Sequence, residues 1–227
     1  MFVQRAMKDS PSIMPKGMIL DFDGIILESV DIKGEAFKTL FKDYPQHQDE
    51  IFKYHVDNGG VPRFEKFKYI YRTIFKKDLS EEEFNRLCTQ YSQIVLHSVL
   101  RCPFVDGAKE FLEGISAKCP LFIVSGTPHE EINFVVDTLH LRPHFKDVFG
   151  SPTSKKDWTR TIMADYGLKA EELFWVGDAM SDYDAARMHN IRFIARVIEG
   201  RPLFDKVKVF HKVKDLKELQ KFVGTFL

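Results

Sequence analysis

The sequence predicts an α/β protein: a Rossmann-like, doubly wound parallel sheet carrying one all-helical insertion. Apolar runs of strand length recur at residues 18–22, 121–125, 173–177 and 191–197. Helical patterns at 107–115, 130–139 and 158–166 fall between or beside them, and that alternation reads as parallel strands with helices on both faces. Between the first and second strands the alternation stops, and residues 31–101 are helical throughout. A block of that kind lies outside the sheet.

The first strand is closed by Asp21, Asp23 and Gly24. Residues two apart on a strand point to the same side, so both carboxylates face one site at the strand's carboxyl end. This is the geometry of a nucleophile beside an acid. An aspartate so placed can attack phosphorus and form an acyl phosphate, while a neighbouring carboxyl group can protonate the leaving oxygen and later deprotonate water. Gly24 either lets the chain leave the strand with unusual backbone angles or is a plain turn glycine. The insertion then reads as helices at 32–41, 48–55, 64–75 and 80–100, the last opened by Ser80 and Glu83 at capping-box spacing. Gly59, Gly60 and Pro62 interrupt it and form a loop suited to drop onto the strand ends. Arg63 follows, with a fork matched to a second anionic group. His55 and Lys66 are its neighbours on the flanking helices, and Phe64, Phe67 and Tyr71 recur at helical spacing as core positions.

The second strand ends in Ser125, Gly126 and Thr127. The Ser125 hydroxyl and the two following amides suit a phosphoryl group at the start of the next helix, although Pro128 also marks an ordinary helix entry that Thr127 can cap. Lys155 and Lys156 open a later helix, and either offers a fixed positive charge for the spread charge of a phosphoryl transition state. The third strand ends in Gly177 and Asp178, with Asp182 four residues on. Residues 204–213 add a last strand, and 215–222 a closing amphipathic helix.

Aspartate pair, hydroxyl, lysine and second aspartate pair, in that order and each at a strand or helix edge, resemble the four motifs of the haloacid dehalogenase (HAD) superfamily. Over nearly its whole length the chain is similar to the branch holding phosphoglycolate phosphatase and beta-phosphoglucomutase. The resemblance implies a HAD core of residues 1–30 and 102–227 and a helical C1 cap of residues 31–101, hinged near 30–31 and 102–103. It implies Asp21 as nucleophile, Asp23 as general acid and base, Ser125 as phosphate ligand, and Lys155, three residues after Pro152, as the catalytic lysine. Gly126, Thr127 and Arg63 become substrate contacts. Mg2+ would be held by Asp21, the main-chain carbonyl of Asp23 and Asp178, with Asp182 as ligand or just behind; this ion keeps several waters, so few protein ligands suffice. Ala179 stands where a serine or threonine is frequent. Haloacid dehalogenases proper lack an aspartate two positions after the nucleophile, so Asp23 favours phosphoryl transfer. The expected activity is hydrolysis of a small phosphorylated metabolite. A phosphomutase and a non-catalytic metabolite-binding protein are the alternatives, and a phosphonate hydrolase would need a Schiff-base lysine such as Lys33, Lys38 or Lys42.

Composition narrows the setting. With 227 residues and 21 phenylalanines the chain fills a sizeable core. Its 33 basic and 33 acidic residues cancel, which gives no field for nucleic acid or an anionic membrane. Cys88, Cys102 and Cys119 form neither a disulfide framework nor a CxxC metal site. Residues 1–17, broken by Arg5, Lys8 and Asp9, lack the apolar centre of a signal peptide, and a cytoplasmic enzyme is expected.

Overall fold

Residues 15–226 are described in the computed structural model, so most of the N-terminal stretch just read for a signal peptide lies outside them. Six strands form one parallel sheet: β1 (Gly17–Leu20), β2 (Leu121–Pro128), β3 (Asp147–Ser151), β4 (Leu173–Gly177), β5 (Arg192–Arg196) and β6 (His211–Val213). Their order is β3-β2-β1-β4-β5-β6. The chain winds outward from β1 through β2 to β3 and then crosses back to β4 on the other side of β1, and this reversal opens a crevice at the carboxyl ends of β1, β2 and β4 where such sheets bind ligands. Leu20 of β1 pairs with Ile123 and Val176, and that register sets Asp21, Ser125 and Asp178 at one edge of the sheet.

Strand side chains alternate between two cores. On one face Met18, Leu20, Leu121, Ile123, Phe174 and Val176 pack with α5 (Ala108–Ile115), α6 (His129–Thr138) and α9 (Leu216–Val223). On the other, Ile19, Phe122, Val124, Trp175 and Phe193 pack with α7 (Lys155–Asp165) and α8 (Met180–Met188). Among the described residues no helix is long and apolar enough to cross a membrane.

Between β1 and β2 lies the expected helical insertion: α1 (Val30–Leu40), α2 (Gln48–Asp57), α3 (Arg63–Tyr69) and α4 (Glu81–Val99). Ser80 caps α4 by accepting from the Glu83 amide at 3.2 Å. The insertion has its own aromatic centre, where Phe37 lies 4.7 Å from Tyr91 and 5.7 Å from Phe67 between ring centroids.

Three details depart from the sequence reading. The helix expected over 64–75 widens at Ile70 into a π-type turn running to Phe75, and Lys76 ends it at φ +54°. This turn keeps Ile70, Tyr71, Ile74 and Phe75 all buried. Strand β3 went unforeseen because its apolar run is only Val148 and Phe149, followed by Gly150. The last strand is three residues rather than ten, because Phe204 leaves the sheet to pack on Phe193 at 5.6 Å.

Phe67 is fully buried between α1 and α4. Phe67→Ala is expected to lower the unfolding free energy by about 3–5 kcal/mol, read by urea titration. A loss under about 1 kcal/mol would contradict a tightly packed insertion.

Candidate active site

Asp21 follows β1, its amide donating to the Val176 carbonyl at 3.0 Å, and its side chain is buried in the crevice. Lys155 reaches it from the opposite face of the site. The Lys155 Nζ lies 2.7 Å from Asp21 Oδ2 and 2.5 Å from Asp182 Oδ1. Lys155 is the first residue of α7, whose N-cap Ser154 accepts from the Asp157 amide. The positive end of a helix dipole disfavours a cation there, and burial disfavours it further. The two carboxylates outweigh both, so the Lys155 pKa is raised despite its burial. Lys156 is partly exposed and touches neither carboxylate.

Asp182 is fully enclosed, and both its oxygens are taken. Oδ1 holds Lys155 and Oδ2 accepts from the Ala179 amide at 3.1 Å, one half of a capping box at the start of α8. Asp182 thus stands behind Lys155 as its anchor. Two glycines make room for these carboxylates. A Cβ on Gly177 would lie 2.3 Å from Asp182 Cβ, and one on Gly24, at φ +73°, would lie 2.1 Å from Asp178 Oδ2. Gly24 is therefore more than a turn residue.

Asp23 is surrounded by donors. Ser29 Oγ donates to Oδ1 at 2.5 Å, Thr127 Oγ1 to Oδ2 at 3.2 Å, and Lys33 Nζ to both Oδ2 and Thr127 Oγ1, the latter at 2.7 Å. Burial pushes the Asp23 pKa up, but the charge and hydrogen bond of Lys33, the Ser29 hydrogen bond and the Lys155 charge bring it below the ordinary carboxylate value. Lys33 lies on α1, one turn into the insertion, so sequence order gave no sign that it would meet Asp23. Ser125 Oγ accepts from the Thr127 amide at 3.1 Å, which leaves its hydroxyl hydrogen free to donate. Gly126 and Thr127 belong to the irregular end of β2 rather than to the helix turn expected there. Pro128 has no amide and holds an extended ψ of 142°, so α6 begins only at His129.

Carboxylate oxygens of Asp21, Asp178 and Asp182 all lie within 4.8 Å of one another. Burial, with Asp182 and Asp23 adding their charges, lifts the Asp21 carboxyl to about 7 against the pull of Lys155. Asp178 is raised well above the usual range by burial and then by Asp21 and Asp182. A crowded set of oxygen donors, short of positive charge, fits a hard divalent cation. Both Asp182 oxygens meet Lys155 and the Ala179 amide, and the Asp21 oxygens meet the Phe22 amide at 2.7 Å and Lys155 at 2.7 Å, so an ion held by this trio would share those carboxylates with their present donors.

The insertion closes over this floor. A Cβ on Gly60 would sit 2.2 Å from Ser181 Oγ and 3.2 Å from Lys155 Nζ, and one on Gly126 would meet the Gly60 carbonyl at 2.6 Å. Only glycine backbones approach so closely. Arg63 bends to the core: its guanidinium grips Glu131 of α6 at 2.5 and 3.0 Å and Ser92 at 2.7 Å. The anion that meets its fork here is Glu131. Beneath the loop is a cavity of about 270 Å³ lined by Asp21, Asp23, Asp178, Phe37, His55 and Lys66, among others. Lys66 and His55 are both buried, with Lys66 Nζ 3.2 Å from His55 Nδ1 and 3.2 Å from its carbonyl oxygen. Burial and the Lys33 charge depress Lys66 to about 7. Burial and the charges on Lys66 and Lys33 push His55 down to about 2.

A family model for haloacid dehalogenase-like hydrolases matches residues 18–196. No curated protein matches the chain by sequence. Among solved structures, a haloacid dehalogenase-like family protein from Streptococcus pneumoniae is 18% identical with a TM-score of 0.69, covering 92% of this chain and 99% of that one. A predicted phosphoglycolate phosphatase from Haemophilus somnus is 17% identical with a TM-score of 0.74, covering 92% and 98%. A HAD-type hydrolase from Bacillus subtilis solved with magnesium is 16% identical with a TM-score of 0.69, covering 92% and 99%. At these identities the likeness shows the fold.

Lys66 carries a testable cost. Its folded pKa of about 7 lies below its ordinary 10.5, so between those values the unfolded chain holds a proton that the folded chain has lost, and stability rises with pH. Below about 7 the full cost of the buried charge remains. Lys66→Met should therefore gain stability relative to wild type, most at pH 6 and least toward pH 10, in paired urea titrations. A difference independent of pH would show that the Lys66 charge is not suppressed.

Proposed function

The chain belongs to the haloacid dehalogenase-like hydrolases, and from that premise we propose a magnesium-dependent phosphatase that hydrolyses a small phosphorylated metabolite through an aspartyl phosphate. The observation that carries this reading is the Lys155 ammonium fixed between Asp21 and Asp182 at the carboxyl end of the sheet. It steadies the nucleophile and faces the charge that builds on the phosphoryl oxygens.

In this reading Asp21 attacks phosphorus in line with the departing alcohol, and the P–O bond to the alcohol breaks as the acyl phosphate forms. Asp23 in its acid form gives the leaving oxygen a proton. Its ionised form, which Lys33 favours, then takes a proton from the water that attacks phosphorus and frees Asp21. The Ser125 hydroxyl and the Gly126 backbone hold the phosphoryl oxygens, with Thr127 orienting Asp23. Bound by Asp21, Asp178 and the Asp23 carbonyl, Mg2+ would supply further positive charge to the phosphate. The magnesium bound in the Bacillus subtilis structure supports the choice of ion.

Residues 31–101 serve as the cap, with hinges near 30–31 and 102–103. Closure excludes bulk water and strengthens the charges beneath, and reopening releases product. Interdomain movement is known for the Bacillus subtilis protein. Arg63 and Glu131 would fasten the closed cap, since Arg63 comes from the insertion and Glu131 from the core.

Inorganic phosphate release from a panel of phosphorylated metabolites is the direct test. Turnover should require Mg2+ and fall at least about 10³-fold in Asp21→Asn. Undiminished turnover in that variant, or turnover indifferent to Mg2+ and chelator, would overturn the mechanism.

A further inference from the structure

Four cations lining the cavity are already matched to carboxylates. Lys33 pairs with Asp23, Arg63 with Glu131, Arg196 with Glu28 and Arg201 with Asp31. Lys66 lines the same cavity, is 2% exposed, and has no carboxylate within ion-pair distance among the described residues. Its two contacts, the ring and the carbonyl of His55, carry no negative charge. His55 is held neutral, and the ring of Phe37 lies 5.8 Å from the Nζ. An ammonium removed from water without a counter-ion is costly, and methionine would fill the same space without that cost. The side still open to Lys66 is the cavity, whose floor holds Asp21 and Asp178.

Taking the phosphatase reading as given, we propose that Lys66 is the subsite for a second acidic group on the substrate, a carboxylate or a second phosphate on the alcohol that leaves. The phosphoryl group sits on the strand ends, and the remote acid reaches up to the insertion and completes the ion pair that the protein leaves unfilled. A substrate without that acid would leave Lys66 unpaired beneath the closed cap. Lys66 is thus a specificity-determining residue and takes no part in bond breaking. His55 accepts from the ammonium at Nδ1 and aims it, which a neutral imidazole can do. The cavity of about 270 Å³ restricts the substrate to a small molecule.

Two matched comparisons test this. Phosphoglycolate against ethyl phosphate isolates a carboxylate, and ethanediol bisphosphate against ethyl phosphate isolates a second phosphate. At least one acid-bearing ester should be preferred in kcat/KM by about 10- to 100-fold, with the acid that wins naming the group. Lys66→Met should abolish that preference through KM, and Lys66→Arg should keep part of it. Calorimetric binding of the same esters to Asp21→Asn, with and without Lys66→Met, reads the subsite apart from turnover. If no ester is hydrolysed but the acid-bearing ones still bind more tightly through Lys66, the subsite stands and the phosphatase reading falls. No preference in wild type, or a preference that survives in Lys66→Met, overturns the subsite.

Discussion

Everything in this site is arranged around one ammonium held between two buried carboxylates. Lys155 stands at the unfavourable end of a helix dipole, out of water, and remains charged because Asp21 and Asp182 flank it. The three groups come from different elements: the end of β1, the start of α7 and the first turn of α8. Bringing them together demands the all-parallel sheet with β1 between β2 and β4. It also demands glycine at 177 and 24, where any side chain would strike Asp182 or Asp178. Asp182 uses both oxygens in this support, one on Lys155 and one on the Ala179 amide.

Charge also ties the insertion to the core. Lys33 on α1 reaches down to Asp23 and Thr127, and Arg63 on α3 reaches across to Glu131. Between these ties the Gly59–Gly60 loop, with no side chain of its own, rests on the Gly126 backbone and accepts from the Ser181 hydroxyl at the Gly59 carbonyl. Val95 and Val99 of α4 share one buried apolar cluster with Phe22, Ile132 and Val135 of the core, whereas above Asp23 and Gly126 the insertion meets the floor of the site through matched ions and bare backbone. Such contacts exchange readily for water and ligand, as the proposed cap closure requires. Lys66 departs from this pattern, because its charge is buried and unmatched. A residue that lowers stability in the free protein is the usual sign of a site kept for a ligand.

Much of this architecture is legible in the sequence, for local reasons. Apolar runs ending in Asp21, Ser125 and Asp178 announce strands and place those side chains at one sheet edge, and Ser80 with Glu83 marks the start of α4. What could not be read depends on contacts between distant residues. Arg63 and Glu131 are 68 positions apart, and Thr127 and Asp23 are 104 apart. Each residue alone looks like an ordinary surface or capping group. Lys33 was one lysine of three at the start of the insertion, and only the packing of α1 against α4 turns it toward Asp23. Strand β3 was missed because two apolar residues carry no periodicity. Lys155 and Lys156 are alike in composition, and the helix that starts at Lys155 buries the first and leaves the second partly in solvent.

The central claim is that Asp21, steadied by Lys155, forms a covalent bond to phosphorus. Rapid quenching during turnover, followed by borohydride reduction and peptide mass spectrometry, tests it most directly. An acyl phosphate on Asp21 would be reduced to the alcohol, so the mass change should fall at position 21 and require both substrate and Mg2+. Sustained turnover with no change at Asp21, or a change at Asp23 or Asp178 instead, would contradict it.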